Sequence, residues 1–178
     1  MRALLSEKIN DKFSLNIKTT DEPIIEDDAV LIKVIACGIN YPDTLIIKDE
    51  YQIKPTRPFA PGGEVSGIII KKGKKVVDWH NGDRVIAITT FGGLAEYVSC
   101  KADKLVKLPD GIPMATGAGF LFTYGTAYHA LHDRGRLTSN ESVLVLGAAG
   151  GVGLAAVELA KAHGASVIGA VSGEQKKA

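Results

Sequence analysis

The stretch Ser142-Val143-Leu144-Val145-Leu146-Gly147-Ala148-Ala149-Gly150-Gly151-Val152-Gly153 decides how the rest of this chain is read. Ser142 to Leu146 is a continuous run of β-branched and Leu residues, the pattern of a parallel strand covered on both faces. A glycine turn follows at once. From Gly151 or Val152 to His163, the residues Val152, Ala155, Ala156, Leu159 and Ala160 share one stripe at helical spacing, and Gly164 stands where a left-handed cap ends such a helix. Ser166 to Val171 supplies a second strand. Strand, turn, helix, capping glycine and strand make one βαβ unit, whose crossover is expected to be right-handed.

The turn between that strand and that helix has a chemical reading. Small residues let the backbone pass close to a pyrophosphate, while the free amides and positive dipole end of the helix face phosphate charge. Read as A-x-G-x-x-G, the fingerprint has Ala148 at its first glycine position and Gly150 and Gly153 at the other two, with Ala149, Gly151 and Val152 between them. A tight βα turn without a ligand is the plain alternative. The complete order of elements favours dinucleotide binding. At the end of the second strand, where an NAD-binding unit places a carboxylate for the ribose 2′-hydroxyl, Val171 and Ser172 stand instead, with Lys176 just beyond. Ser172 and Lys176 therefore point to NADPH. Glu174, near the generic spacing from the glycines, is the rival, and a solvated terminal lysine is the alternative for Lys176.

Outward from this unit, the 178 residues are 46% apolar and 23% charged, an ordinary globular balance. A net charge of +1 supplies no basic field for a nucleic-acid backbone. Cys37 and Cys100 lie far apart without a partner pattern, and the start Met1 to Glu7 lacks the apolar core of a signal peptide, so a cytoplasmic setting is expected. Ser142 to Val157 carries no charge, yet it falls short of the roughly 20 residues of a membrane span and glycines interrupt it. Before it, short runs at Ala29 to Ala36, Val65 to Ile70, Arg84 to Ile88, Ala95 to Val98 and Leu105 to Leu108 alternate with turn residues, as in an irregular β-barrel or sandwich. Pro109-Asp110-Gly111 marks a change of character. We place the domain boundary there, with residues 1–112 in one domain and 113–178 opening a second. Two short helices are expected over Pro113 to Leu131, because Gly117, Gly119 and Gly125 disfavour a single one.

Several blocks then acquire a joint meaning: Ala36-Cys37-Gly38-Ile39-Asn40-Tyr41-Pro42-Asp43, Tyr51-Gln52-Ile53-Lys54-Pro55, Pro61-Gly62-Gly63-Glu64-Val65, Gly82-Asp83-Arg84-Val85, Gly92-Gly93-Leu94-Ala95-Glu96-Tyr97-Val98, Thr126-Ala127-Tyr128-His129-Ala130-Leu131 and the glycine turn. In this order they resemble the medium-chain dehydrogenase/reductase superfamily, and most closely its zinc-independent quinone oxidoreductase branch. The resemblance implies an α/β chain: a GroES-like β-barrel substrate domain followed by the first βαβ unit of a doubly wound Rossmann sheet. It also implies an active site in the cleft between domains and, in the full-length family form, a homodimer.

Zinc-dependent relatives place a ligand cysteine at the position of Asn40 and a ligand histidine at that of Gly63. Neither is present, and His80, His129, His132 and His163 offer no substitute pattern, so no metal is expected. Without a Lewis acid, the substrate should be an electrophile already activated by conjugation, a quinone or an enone, with an enoyl thioester as the alternative. By the resemblance, Asn40 lies near nicotinamide and substrate, where it would donate to the substrate oxygen or orient the carboxamide. An Asx-type turn before Pro42 is its competing role. Thr126 resembles the threonine beside the nicotinamide. Asp43 is similar to an acidic residue of the cleft, with a helix cap as its competing role. Tyr41 and Tyr51 would line the quinone pocket, Tyr51 as a candidate proton donor, against ordinary aromatic packing. Arg84 reads as a structural ion-pair partner.

Only two Rossmann strands precede Ala178, which leaves a parallel edge and an apolar face open. Two readings follow: an NADPH-dependent reductase whose remaining residues lie beyond Ala178, or a short GroES-like module without catalytic competence.

Overall fold

The computed structural model describes residues 1–10 and 12–176. Two compact units divide the chain, Met1–Gly119 and Phe120–Ala178. The first opens with an antiparallel hairpin of β1 (Arg2–Ile9) and β2 (Lys12–Thr19), which the expected strands, starting at Ala29, did not include. Phe13, Leu15 and Ile17 alternate along β2 but face outward, whereas Ser6 on β1 is buried. The hairpin is joined to the rest by main-chain bonds, Leu4 N–H to the Leu94 carbonyl at 2.9 Å and Ser6 N–H to the Phe59 carbonyl at 2.7 Å.

The body of this unit comprises β3 (Ala29–Gly38), α1 (Tyr41–Ile47), β4 (Glu64–Lys72), β5 (Arg84–Ile88), β6 (Tyr97–Lys101), β7 (Leu105–Lys107) and α2 (Met114–Ala118). Its five strands form one antiparallel sheet in the order β6-β3-β4-β5-β7. The central strands are the β-branched ones. Val30 and Ile32 of β3, Val65 and Ile69 of β4, and Val85 and Ala87 of β5 make a continuous core with Val98, Cys100 and Leu105. Close approach at the end of β3 is possible because residue 38 is glycine: a Cβ there would stand 2.1 Å from the Ala118 carbonyl oxygen of α2. Ser66 Oγ donates to the Met114 carbonyl at 2.5 Å and fixes the other end of that short helix. Arg84, expected to form an ion pair, instead donates to the Ile112 carbonyl.

In the second unit, wide π-type turns at Leu121–Gly125 and His129–Arg134 flank one turn of α3 (Thr126–Tyr128), so the helical stretch after α2 is irregular. β8 (Ser142–Leu146), α4 (Gly151–Ala162) and β9 (Ser166–Ala170) then form the βαβ unit, with β8 and β9 parallel and Leu144 paired to Ile168. Gly164, at φ +90°, ends α4 as a left-handed residue. Ala155 and Ala160 are buried beneath α4, but Val152 of the expected stripe is exposed. β8 also departs from expectation. Val145 is buried, while Leu144, Leu146 and Ile168 are 61%, 77% and 62% exposed. Alternate residues of a strand face opposite sides, and α4 covers one side only. Among the described residues, no helix is long and apolar enough to cross a membrane.

Candidate active and cofactor-binding sites

Asn40 follows β3 by two residues and N-caps α1, in an extended conformation at φ −117° and ψ 158°. Pro42 in the first turn suits that helix start, since its ring pre-sets φ and its missing N–H is not needed there. Asn40 N–H donates to Asp43 Oδ2 at 2.7 Å, and the Asn40 side chain faces the Asp43 amide, the reciprocal pairing of a capping box. The second oxygen of Asp43 accepts Gly62 N–H at 3.1 Å. Asp43, 4% exposed, thus clips the start of α1 to the Pro61-Gly62-Gly63 loop that leads into β4. Asn40 Nδ2 donates to Glu64 Oε2 at 3.4 Å, and Glu64 is 0% exposed at the head of β4.

Asn40 and Asp43 are therefore in direct contact, in a polar cluster where Asn40 is half-buried and Asp43 and Glu64 are buried. Tyr51 lies half-buried in the loop after α1 and makes no hydrogen bond to either, and Tyr41 is exposed. Cys37 sits beside the cluster. Burial pushes its thiol up to about 12, with the charges of Asp43 and Glu64 adding to the effect. Glu64 was not among the residues singled out from sequence. Its signal was a carboxylate at the head of a strand that carries Val65 and Ile68 to Ile70, directly after two glycines. Among the described residues, no three His, Cys, Asp or Glu side chains converge as metal donors.

The second unit builds its site on the glycine turn. Gly147, at φ +69°, turns the chain out of β8, and Gly150 N–H closes the turn on the Gly147 carbonyl at 2.9 Å. Gly153 has no room for a side chain: a Cβ there would stand 2.2 Å from Gly147 O. No side chain caps α4, whose N-cap is Gly150, so the first-turn amides of Gly151, Val152 and Gly153 are left to the turn. A concavity of about 250 Å³ opens here, lined by Gly147, Ala149, Gly150, Ala170, Val171, Ser172 and Lys176. Ala148 and Leu154 line an adjoining one with Lys176.

Lys176 Nζ donates to Ser172 Oγ at 3.2 Å, which holds a cation over the end of β9. Among the described residues, no carboxylate lines either concavity. Glu174, in the short turn Glu174–Lys176, is outside both linings. The turn, the uncapped helix end and the lysine offer N–H donors and a positive charge, groups of the kind that hold phosphate. Thr126 opens α3 with an exposed side chain. It is Thr123, in the preceding π-type turn, whose Cγ2 lies 3.1 Å from the Cβ position of Gly151. Tyr124 beside it donates to Glu158 of α4.

Comparison with known proteins identifies relatives of this chain. The family model for the alcohol dehydrogenase GroES-like domain matches residues 26–110. A quinone oxidoreductase of Mus musculus is 42% identical over 156 residues, which are 87% of this chain and 47% of that protein. Among solved structures, a probable oxidoreductase from Mycobacterium abscessus superposes with a TM-score of 0.87 at 34% identity, over 98% of this chain and 56% of that one. The quinone oxidoreductase from Thermus thermophilus, also solved in complex with NADPH, gives 0.84 at 34% identity, over 100% and 56%. The chain spans about half the length of the curated relatives it matches.

Proposed function

We propose that the chain is a member of the medium-chain dehydrogenase/reductase superfamily, in its quinone oxidoreductase branch, and that it serves NADPH-dependent reduction of a quinone or conjugated carbonyl without zinc. The observation that carries the cofactor assignment is the concavity at the glycine turn, whose one charged lining residue among those described is Lys176. In this reading, the amides of Gly151, Val152 and Gly153 receive the pyrophosphate, Ala148, Ala149 and Gly150 keep its approach clear, and Ser172 and Lys176 receive the 2′-phosphate. Residues 1–112 serve the substrate and 113–178 begin the cofactor domain.

When bound, NADPH supplies the hydride. The residues of this chain do the rest. Asn40 offers an amide N–H to the oxygen on which charge accumulates, and Asp43 holds the Asn40 main chain in place through the 2.7 Å bond. Thr126 would pack beside the nicotinamide, and the phenol of Tyr51 would face the substrate as a proton source. Asn40 and Gly63 occupy the positions where zinc-dependent relatives carry ligands, and neither supplies a soft or imidazole donor. A substrate whose charge delocalises by conjugation suits that donor set. A reducing, cytoplasmic setting accords with the unpaired Cys37 and Cys100.

Titration of the chain with NADPH and NADH, followed by cofactor fluorescence, tests the assignment. Tighter binding of NADPH supports it, and absence of binding at millimolar cofactor refutes it. A panel of quinones against enoyl thioesters then ranks the substrate classes.

A further inference from the structure

Glu64 is a carboxylate removed wholly from water, at the head of a strand that places Val65 and Ile69 in the core. Such burial is costly unless the group is hydrogen-bonded. Its place is fixed on both sides, since Glu64 pairs with Gly38 of β3 and with Ile88 of β5. One side-chain partner is Asn40, whose Nδ2 donates to Oε2 at 3.4 Å. The main chain of Asn40 is held separately, by Asp43 Oδ2 at 2.7 Å. Two carboxylates therefore divide the work: Asp43 sets where Asn40 stands, and Glu64 faces the end of its side chain.

The orientation of the carboxamide follows. With its nitrogen toward a carboxylate and its side chain facing the Asp43 amide across the capping box, Asn40 keeps one Nδ2 proton uncommitted. We propose that Glu64 is a positioning residue, which fixes the Asn40 carboxamide so that this one N–H, and not the amide oxygen, is presented to the carbonyl oxygen of the substrate. The proposal rests on the reading of Asn40 as the donor to that oxygen. In this role Glu64 acts on the substrate through Asn40.

Two readouts test it. The first is the side-chain NH2 resonance of Asn40 in the ¹⁵N-labelled chain. In Glu64→Asp the acceptor retreats by one methylene from a contact that is already 3.4 Å long. The Asn40 Nδ2 protons should shift and exchange faster with solvent, while the Asn40 backbone N–H, held by Asp43, should not. Glu64→Gln retains an oxygen acceptor and should give a smaller shift, so it serves as the second variant where the aspartate impairs folding. Unchanged Nδ2 resonances in both overturn the proposal.

The second readout is turnover with NADPH and a quinone, in a double-mutant cycle. Glu64→Asp should lower kcat about tenfold with the KM for NADPH unchanged, and should add no loss in an Asn40→Ala background. Equal losses in both backgrounds assign Glu64 a purely structural role and overturn the proposal. Unchanged turnover in Asn40→Ala, or no turnover in the unsubstituted protein, refutes the parent reading of Asn40. Impaired Asn40→Ala beside unimpaired Glu64→Asp refutes the Glu64 proposal alone.

Discussion

Replacing Asp43 by Asn changes almost no volume and tests whether the clip between α1 and the Pro61-Gly62-Gly63 loop holds the first unit together. The two carboxylate oxygens accept two main-chain N–H groups, from Asn40 at 2.7 Å and Gly62 at 3.1 Å, in a side chain that is 4% exposed. Asparagine keeps one oxygen for one of these and turns an NH2 group toward the other. One charge-assisted bond is lost, a contribution of about 1.5–3 kcal/mol, and a buried main-chain donor is left facing another donor. At about 2–4 °C per kcal/mol for a chain of this size, the melting temperature should fall by roughly 3–12 °C. Trp79, the single tryptophan, packs against the core of the same unit and donates to the Ala102 carbonyl at 3.2 Å, so its fluorescence follows this unit's melting. Hydrogen exchange at Asn40 and Gly62 should quicken in the variant. A melting temperature within about 1 °C of the parent's, with exchange at both amides unaltered, would refute the assignment of Asp43 as a clip.

Other perturbations have equally definite expectations. Gly153→Ala places a methyl where only 2.2 Å separates it from a carbonyl oxygen, so NADPH affinity should fall at least tenfold in a cofactor titration, and unchanged affinity would show that the turn is not the phosphate site. Lys176→Ala should weaken NADPH by about tenfold, the lower end of a charge-assisted hydrogen bond, and leave NADH within about twofold; equal effects on both cofactors would remove Lys176 from the 2′-phosphate. Cys37 in the folded chain holds its proton up to about 12, and an unfolded thiol loses it near pH ~8.5, so the folded state retains the proton over that interval. The resulting stability is complete below the unfolded value and is lost as pH rises toward 12, which makes Cys37→Ala the less pH-sensitive protein in denaturant titrations between pH 8 and 10. Parallel stability curves for the two would contradict this.

What could be read from the residues depended on whether periodicity and local chemistry agreed. The βαβ unit was legible because each signal coincided: an uninterrupted strand, glycines where the backbone crowds, and Gly164 at the left-handed end of α4. The β1–β2 hairpin was not, because its apolar alternation at Phe13, Leu15 and Ile17 faces solvent while Ser6 is buried, the reverse of the usual pattern. Leu144 and Leu146 show the opposite difficulty. A continuous apolar run reports strand propensity on both faces but not which face is covered. At the site, Asn40 and Asp43 fall within one helical turn, so their contact was within reach of local reasoning. Glu64 is 24 residues from Asn40 and meets it only through the β3–β4 register, which no local window contains. The π-type turns that bring Thr123 against Gly151 depend likewise on packing rather than on any residue preference.

The bare side of the β8–β9 pair also bears on how the protein is handled. Leu144, Leu146 and Ile168 lie together on one face, a small oily plane in contact with water. Environment-sensitive dyes of the anilinonaphthalene type should therefore brighten on the folded chain, and a melt followed with such a dye would start from an elevated baseline. The indole of Trp79 belongs to the other unit and carries no such background, so intrinsic emission is the cleaner signal for judging whether a preparation is folded.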